Sequence, residues 1–132
     1  MKSEVKEIKT VLLIEDMDFL QNLIADIIHR HMGKDVNVLF AGTVTEAETI
    51  FNTHQGVIDL ILMDTNLGRG ETTFELASKI SKVFPHHIVA ISTDPDNHKG
   101  MILAGCTDSC LKEELAKYIK ERRFAEKKAM KK

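Results

Sequence analysis

Val11-Leu12-Leu13-Ile14 is a run of four β-prone apolar residues that stops abruptly at Glu15-Asp16. Continuous rather than alternating apolarity marks a strand buried on both faces, and such a strand needs helices above and below a parallel sheet. The pattern recurs along the chain: Leu60 to Met63 ends in Asp64 and Ile88 to Ile91 in Ser92-Thr93, while Asp108 to Leu111 reads as a fifth strand ending in Lys112. Amphipathic segments fill the intervals. Leu20, Leu23, Ile24, Ile27 and Ile28 recur at helical spacing until Gly33, behind an Asp18/Gln21 pair that reads as a capping box. Val36 to Ala41 reads as strand two, and Thr43 with Glu46 caps a helix carrying Ala47, Ile50 and Phe51. Phe74, Leu76, Ala77, Ile80 and Val83 mark a third helix, Asn97 to Ala104 a short fourth, and Glu113 onward the last. The expectation is a doubly wound α/β domain of five parallel strands and five helices.

A length of 132 residues suits one domain, and its 43% hydrophobic and 29% charged residues are those of an ordinary globular protein. The apolar runs are far too short to span a bilayer, and MKSEVKEIKT has no signal-peptide core, so a cytoplasmic protein without membrane contact is expected. Two cysteines, Cys106 and Cys110, make no disulfide framework and read as small buried hydrophobes. The net charge of −2 hides an asymmetry. Residues 112–132 hold nine of the 18 basic residues and four of the 20 acidic ones, leaving nine bases against 16 acids, or −7, in the first 111. An acidic body is a poor surface for a phosphate backbone.

In open parallel sheets, ligands bind beyond the carboxyl ends of the strands. Those ends here carry Glu15, Asp16, Asp64, Ser92 and Lys112. Singly, each is an ordinary loop residue. Jointly they bring three carboxylates, a hydroxyl and an ammonium to one edge, where the like charges require a proton or a cation between them, and oxygen ligands with room for water favour Mg²⁺. The set reads as a divalent-metal and phosphoryl site. The histidines do not compete with it: His29 and His31 fall on different helix faces, and His86-His87 lie beside Pro85. Only His98, close after Ser92, falls near the site.

The arrangement resembles the receiver domain of bacterial response regulators, across roughly residues 9–122, with residues 123–132 a basic C-terminal extension. Glu15 and Asp16 match the family's acidic pair, Asp64 its phosphoacceptor, Ser92 its Ser/Thr, and Lys112 its lysine, with AGCTDSCLK placed like the segment leading into strand five. The resemblance implies the flavodoxin-like strand order 2-1-3-4-5. It implies phosphotransfer onto Asp64 from a histidine kinase or histidine phosphotransfer protein, and Mg²⁺ held by Glu15, Asp16, Asp64 and the backbone carbonyl of Asn66. It further implies Lys112 and Ser92 on the phosphoryl oxygens, and a switched surface for a downstream protein partner. Such a chain is not an enzyme beyond its own phosphorylation and dephosphorylation.

Several positions depart from that pattern. Ser109 stands where an aromatic switch residue is usual, Thr93 where a smaller residue follows the hydroxyl, and Gly68 where proline is common. Glu113 replaces the proline after Lys112, and a cis bond there would cost a non-proline residue roughly 2.5–4 kcal/mol, so a trans, displaced loop is expected. An alternative that these departures keep open is a pseudo-receiver, an interaction module that never takes phosphate. A haloacid-dehalogenase-type phosphatase would need a second Asp where Asn66 stands, and a flavodoxin a phosphate-cradling loop that EDMDF does not provide. A stand-alone receiver with no DNA-binding output domain is expected. The last helix is expected to outrun the sheet, with Phe124 exposed among Arg122, Arg123, Lys127 and Lys128, either as an unpacked, solvated tail or as a docking point for an acidic partner or a second copy of the domain.

Overall fold

The three central strands form because their residues are apolar on both faces, and two less buried strands close the edges of the sheet. In the computed structural model, which describes residues 7–126, these are β1 (Thr10–Ile14), β2 (Asn37–Ala41), β3 (Leu60–Asp64), β4 (His87–Ser92) and β5 (Asp108–Leu111). All neighbours are parallel, in the order β2-β1-β3-β4-β5. The chain thus moves outward from β1 to β2, then returns past β1 to β3. That reversal opens a crevice at the carboxyl ends of β1 and β3, beside Glu15 and Asp64.

The helices are α1 (Asp18–Met32), α2 (Val44–His54), α3 (Phe74–Ser81), α4 (Asp96–Ala104) and α5 (Leu115–Glu121). Alternate strand residues divide between two cores. Leu12, Ile14, Ile61, Met63 and Ala90 pack with Phe51, Leu76, Ile80 and Met101 from α2, α3 and α4. On the opposite face Val11, Leu13, Leu60, Leu62, Val89 and Ile91 pack with Ile24, Ile28, Leu115 and Ile119 from α1 and α5. Every residue of β1 and of β3 is buried. At roughly 1.5–3 kcal/mol for each large aliphatic side chain removed from water, these two strands anchor the fold.

Thr43 caps α2 as its sequence predicts, accepting from the Glu46 amide at 3.0 Å. The α1 cap differs from expectation. Asp18 is already helical, Met17 holds the cap position without a side-chain bond, and Gln21 reaches back to the Glu15 carbonyl at 2.6 Å. Strand two starts one residue late, at Asn37, and α3 ends before Val83, which is 61% exposed. Two glycines set the spacing of α4 against α3. A Cβ on Gly100 would lie 2.8 Å from the Phe74 ring, and one on Gly105 2.3 Å from Ser81 Oγ.

The largest departure is at the C-terminal end. A short 3-10 turn, Lys112–Glu114, precedes α5, and α5 itself stops at Glu121 because Arg122 is left-handed (φ 51°, ψ 47°). The chain then turns back through Arg123–Glu126 and buries Phe124 to 2% exposure, with its ring 6.3 Å from Tyr118 and 6.1 Å from His87. The expected long helix with an exposed Phe124 is therefore corrected: an apolar ring gains more from the core than from solvent once one residue adopts the left-handed turn. Lys127 and Lys128 lie outside the described residues.

Candidate functional site

Parallel register brings the strand ends level. Ile14 pairs with Met63, and Asp64 with Ile91, so Glu15, Asp64 and Ser92 leave the sheet at nearly the same height. Neighbouring segments fix two of them. The Glu15 amide donates to the Ala41 carbonyl at 2.9 Å, and Thr73 Oγ1 donates to the Asp64 carbonyl at 2.7 Å. Glu15 is wholly buried and Asp64 is 5% exposed, whereas Asp16 faces solvent at the crevice mouth.

Lys112 reaches in from the end of β5. Its Nζ lies 3.0 Å from Asp64 Oδ2 and 2.8 Å from Glu15 Oε1. The peptide after it is trans, as is every described peptide bond, and the absence of proline there does not keep the ammonium from the carboxylates. Burial raises the Glu15 carboxyl above its ordinary range, opposed by the Lys112 bond and reinforced by the charge of Asp64. Burial likewise raises Asp64, against the pull of Lys112 and with a push from Asp16. Burial works against the Lys112 ammonium, but its bonds to Glu15 and Asp64 prevail and hold it above its usual value. One ammonium between two buried carboxylates leaves the trio one negative charge in excess.

That excess suits a cation. Carboxylate oxygens of Glu15, Asp16 and Asp64 lie within 4.8 Å of one another, and Glu15 Oε1, though ion-paired, has no hydrogen-bond donor aligned on it. Hard oxygen donors of this number, one of them open to water, fit a divalent metal. Gly68 keeps the mouth clear: at φ +84°, a Cβ there would stand 3.0 Å from Asp16 Oδ2. Proline, fixed near φ −65°, could not adopt this backbone, which accounts for its absence at position 68.

Asn66 sits in the β3–α3 loop, exposed, and forms an isolated antiparallel bridge with Thr72. Thr93 is exposed beyond β4, and Ser109 is half-buried on β5 opposite Ala90. Ser92 is 2% exposed but is bonded within its own loop rather than to Asp64: its Oγ meets the Asp94 carbonyl at 3.1 Å, the Asp94 amide at 3.0 Å and Asn97 Nδ2 at 3.0 Å. His98 follows in the first turn of α4, with its Nε2 buried and unbonded. Asn97 and Thr73 are the site neighbours that sequence reasoning missed. Neither belongs to a motif, since their roles depend on how a loop folds back on a strand end.

No protein-family model and no curated protein matches the sequence. Solved structures do match. The N-terminal domain of a response regulator/sensory box/GGDEF three-domain protein from Carboxydothermus hydrogenoformans is 26% identical, with a TM-score of 0.67 over 88% of this chain and 94% of that one. The phosphorylated cyanobacterial phytochrome response regulator RcpA superposes with a TM-score of 0.73 at 19% identity, over 87% of this chain and 91% of its own. The Mn²⁺-bound form of response regulator Rcp1 gives 0.67 at 18% identity, over 86% and 90%. Low identity with near-complete mutual coverage speaks for the architecture rather than for any one relative's activity. Sheet order, the carboxylate cluster at the β1–β3 reversal and these neighbours together make the chain a receiver fold of the response-regulator type.

Proposed function

We propose that this chain is a phosphoacceptor: Asp64 takes a phosphoryl group from the phosphohistidine of a histidine kinase or histidine phosphotransfer protein, in a cytoplasmic phosphorelay. A carboxylate oxygen of Asp64 attacks phosphorus, the phosphorus–nitrogen bond breaks, and the electron pair leaves on the imidazole. The product is an acyl phosphate, labile enough to be a reversible mark. Glu15, Asp16, Asp64 and the backbone carbonyl of Asn66 would hold Mg²⁺. When bound, that ion supplies positive charge that offsets repulsion between the carboxylate and the incoming phosphoryl oxygens.

Lys112 has the complementary task of neutralising a phosphoryl oxygen as its ion pair with Asp64 gives way. Ser92 donates to another oxygen, drawing the β4–α4 loop inward and changing the surface that a downstream protein reads. The observation that carries the reading is Lys112 Nζ standing 3.0 Å from Asp64 and 2.8 Å from Glu15, with Asp16 beside them.

Intact-mass measurement after acetyl phosphate with Mg²⁺ tests it. One added phosphoryl group is expected on the native chain and none on Asp64→Asn, whose carboxamide keeps the shape but cannot attack phosphorus. Failure of the native chain to gain mass under any phosphodonor would favour the phosphate-independent interaction module.

A further inference from the structure

A serine hydroxyl has one proton to give and two lone pairs to offer. In this structure all three capacities of Ser92 are committed inside the β4–α4 loop. The Asp94 carbonyl takes the proton at 3.1 Å, while the Asp94 amide and Asn97 Nδ2 each donate to Oγ at 3.0 Å. Asn97 ties the same loop a second way, through its own amide to the Asp94 carbonyl at 3.0 Å. Ser92 is 2% exposed, so water does not compete for its hydroxyl. To donate toward Asp64, Ser92 must withdraw its proton from the Asp94 carbonyl and change rotamer, which parts Oγ from Asn97 Nδ2.

We propose that Asn97 is a positioning residue that holds the Ser92 hydroxyl away from Asp64, so that the resting loop is latched and the phosphoryl mark has to release it. This rests on the phosphoacceptor reading and adds to it a residue that sets how far the switch leans toward rest. The side-chain amide is the part that matters. Asn97 lies in the first turn of α4, where alanine is at least as good a helix former, so Asn97→Ala removes the donor without unfolding the helix. Its loss leaves Ser92 with an open lone pair and a weaker hold on the resting rotamer. The activated arrangement is then closer in free energy.

The test uses the full chain, beryllofluoride with Mg²⁺ as a phosphoryl mimic, and backbone amide resonances as the readout. Asn97→Ala should lower the half-saturating beryllofluoride concentration by about three- to tenfold, the factor one hydrogen bond is worth. In a Ser92→Ala background the same substitution should change nothing, because the hydroxyl it acts through is gone. Independently of metal and mimic, amide exchange at Asp94 should rise in Asn97→Ala while Ile102 to Ala104 stay as in the native chain. Equal half-saturation in native chain and variant overturns the proposal, as does equal tightening in the Ser92→Ala background. If the native chain binds no beryllofluoride while Asp94 exchange still rises in the variant, the phosphoacceptor reading falls, and the role of the latch in activation falls with it. Binding by the native chain with unchanged affinity and unchanged exchange in Asn97→Ala sinks the latch alone.

Discussion

The β1–β3 half of the sheet and the α4–β5 half are built to different standards. All ten residues of β1 and β3 are buried, and two helical layers cover them. By contrast β5 is four residues long with one buried, and α4 is held by a single buried side chain, Met101, while Ile102 is 42% and Leu103 78% exposed. The strands that carry Glu15 and Asp64 are thus over-determined, and the α4–β5 edge, which carries Asn97 and faces Ser92, is lightly tethered. A phosphoryl site needs its carboxylates held still, since misplacing them squanders alignment. A switch needs an element whose two packings differ little in free energy. One sheet supplies both by burying its central strands and leaving the β5 edge and α4 lightly covered.

Truncation of the rigid half should be felt most. Leu62→Ala removes a fully buried side chain from the centre of β3 and should lower the unfolding free energy by about 2–5 kcal/mol in urea melts. A value near zero would mean that β3 is not the anchor. Met101→Ala should separate the two halves more than it lowers global stability. Amides of α4 should exchange at least tenfold faster while those of Leu12 to Ile14 remain protected, since α4 loses its only buried side chain. Equal acceleration in both halves would show that they open as one unit.

A smaller effect is expected from pH. His87, at the start of β4, accepts or donates at Thr107 Oγ1 at 3.0 Å and packs against Phe124. Burial holds its imidazole below the ordinary 6.5, aided by His86 and opposed by Asp108. The unfolded chain therefore takes the proton first. Stability from the neutral ring is fully present above 6.5 and is lost as pH falls below it. The melting temperature should drop between pH 7 and pH 5.5, and the His87→Gln variant should show a flatter profile over that window. Leu103→Ser should do least, changing stability by no more than about 0.5 kcal/mol, as expected of a side chain already in water. A larger loss would mean that α4 is covered by something in solution.

Most of the fold and the site was legible in the sequence, and the reason is physical. A strand buried on both faces has to be continuously apolar, and a chain with acids, a hydroxyl and a lysine at the ends of four parallel strands has few ways to arrange them other than together. Those features are local in sequence or fixed by parallel register. What escaped depends on a single backbone angle or on a contact made after the chain has folded back. Arg122 gives no sign of its left-handed turn, so the helical spacing from Leu115 suggested a longer helix with Phe124 outside it. Asp18 and Gln21 have the spacing of a cap, but the Glu15 carbonyl lay within reach of Gln21 and took its amide instead. Asn97 reads as an unremarkable first-turn residue until the loop brings it against Ser92.

The two cysteines have a consequence for watching this protein at work. Both fall in the lightly tethered half, Cys106 just after α4 and Cys110 in β5, and both are at least 94% shielded. Burial pushes each thiol up to about 12, so at neutral pH neither supplies the thiolate that alkylating reagents and peroxides attack. In the closed fold they are chemically silent. Cys106 packs in the core under α3 and α4 and Cys110 in the core under α5, so labelling the first needs an opening of one face of the sheet and labelling the second an opening of the other. Alkylation rates of the two thiols measured on native protein, with no engineered probe, are therefore clocks for how often each face of the sheet comes open at this end.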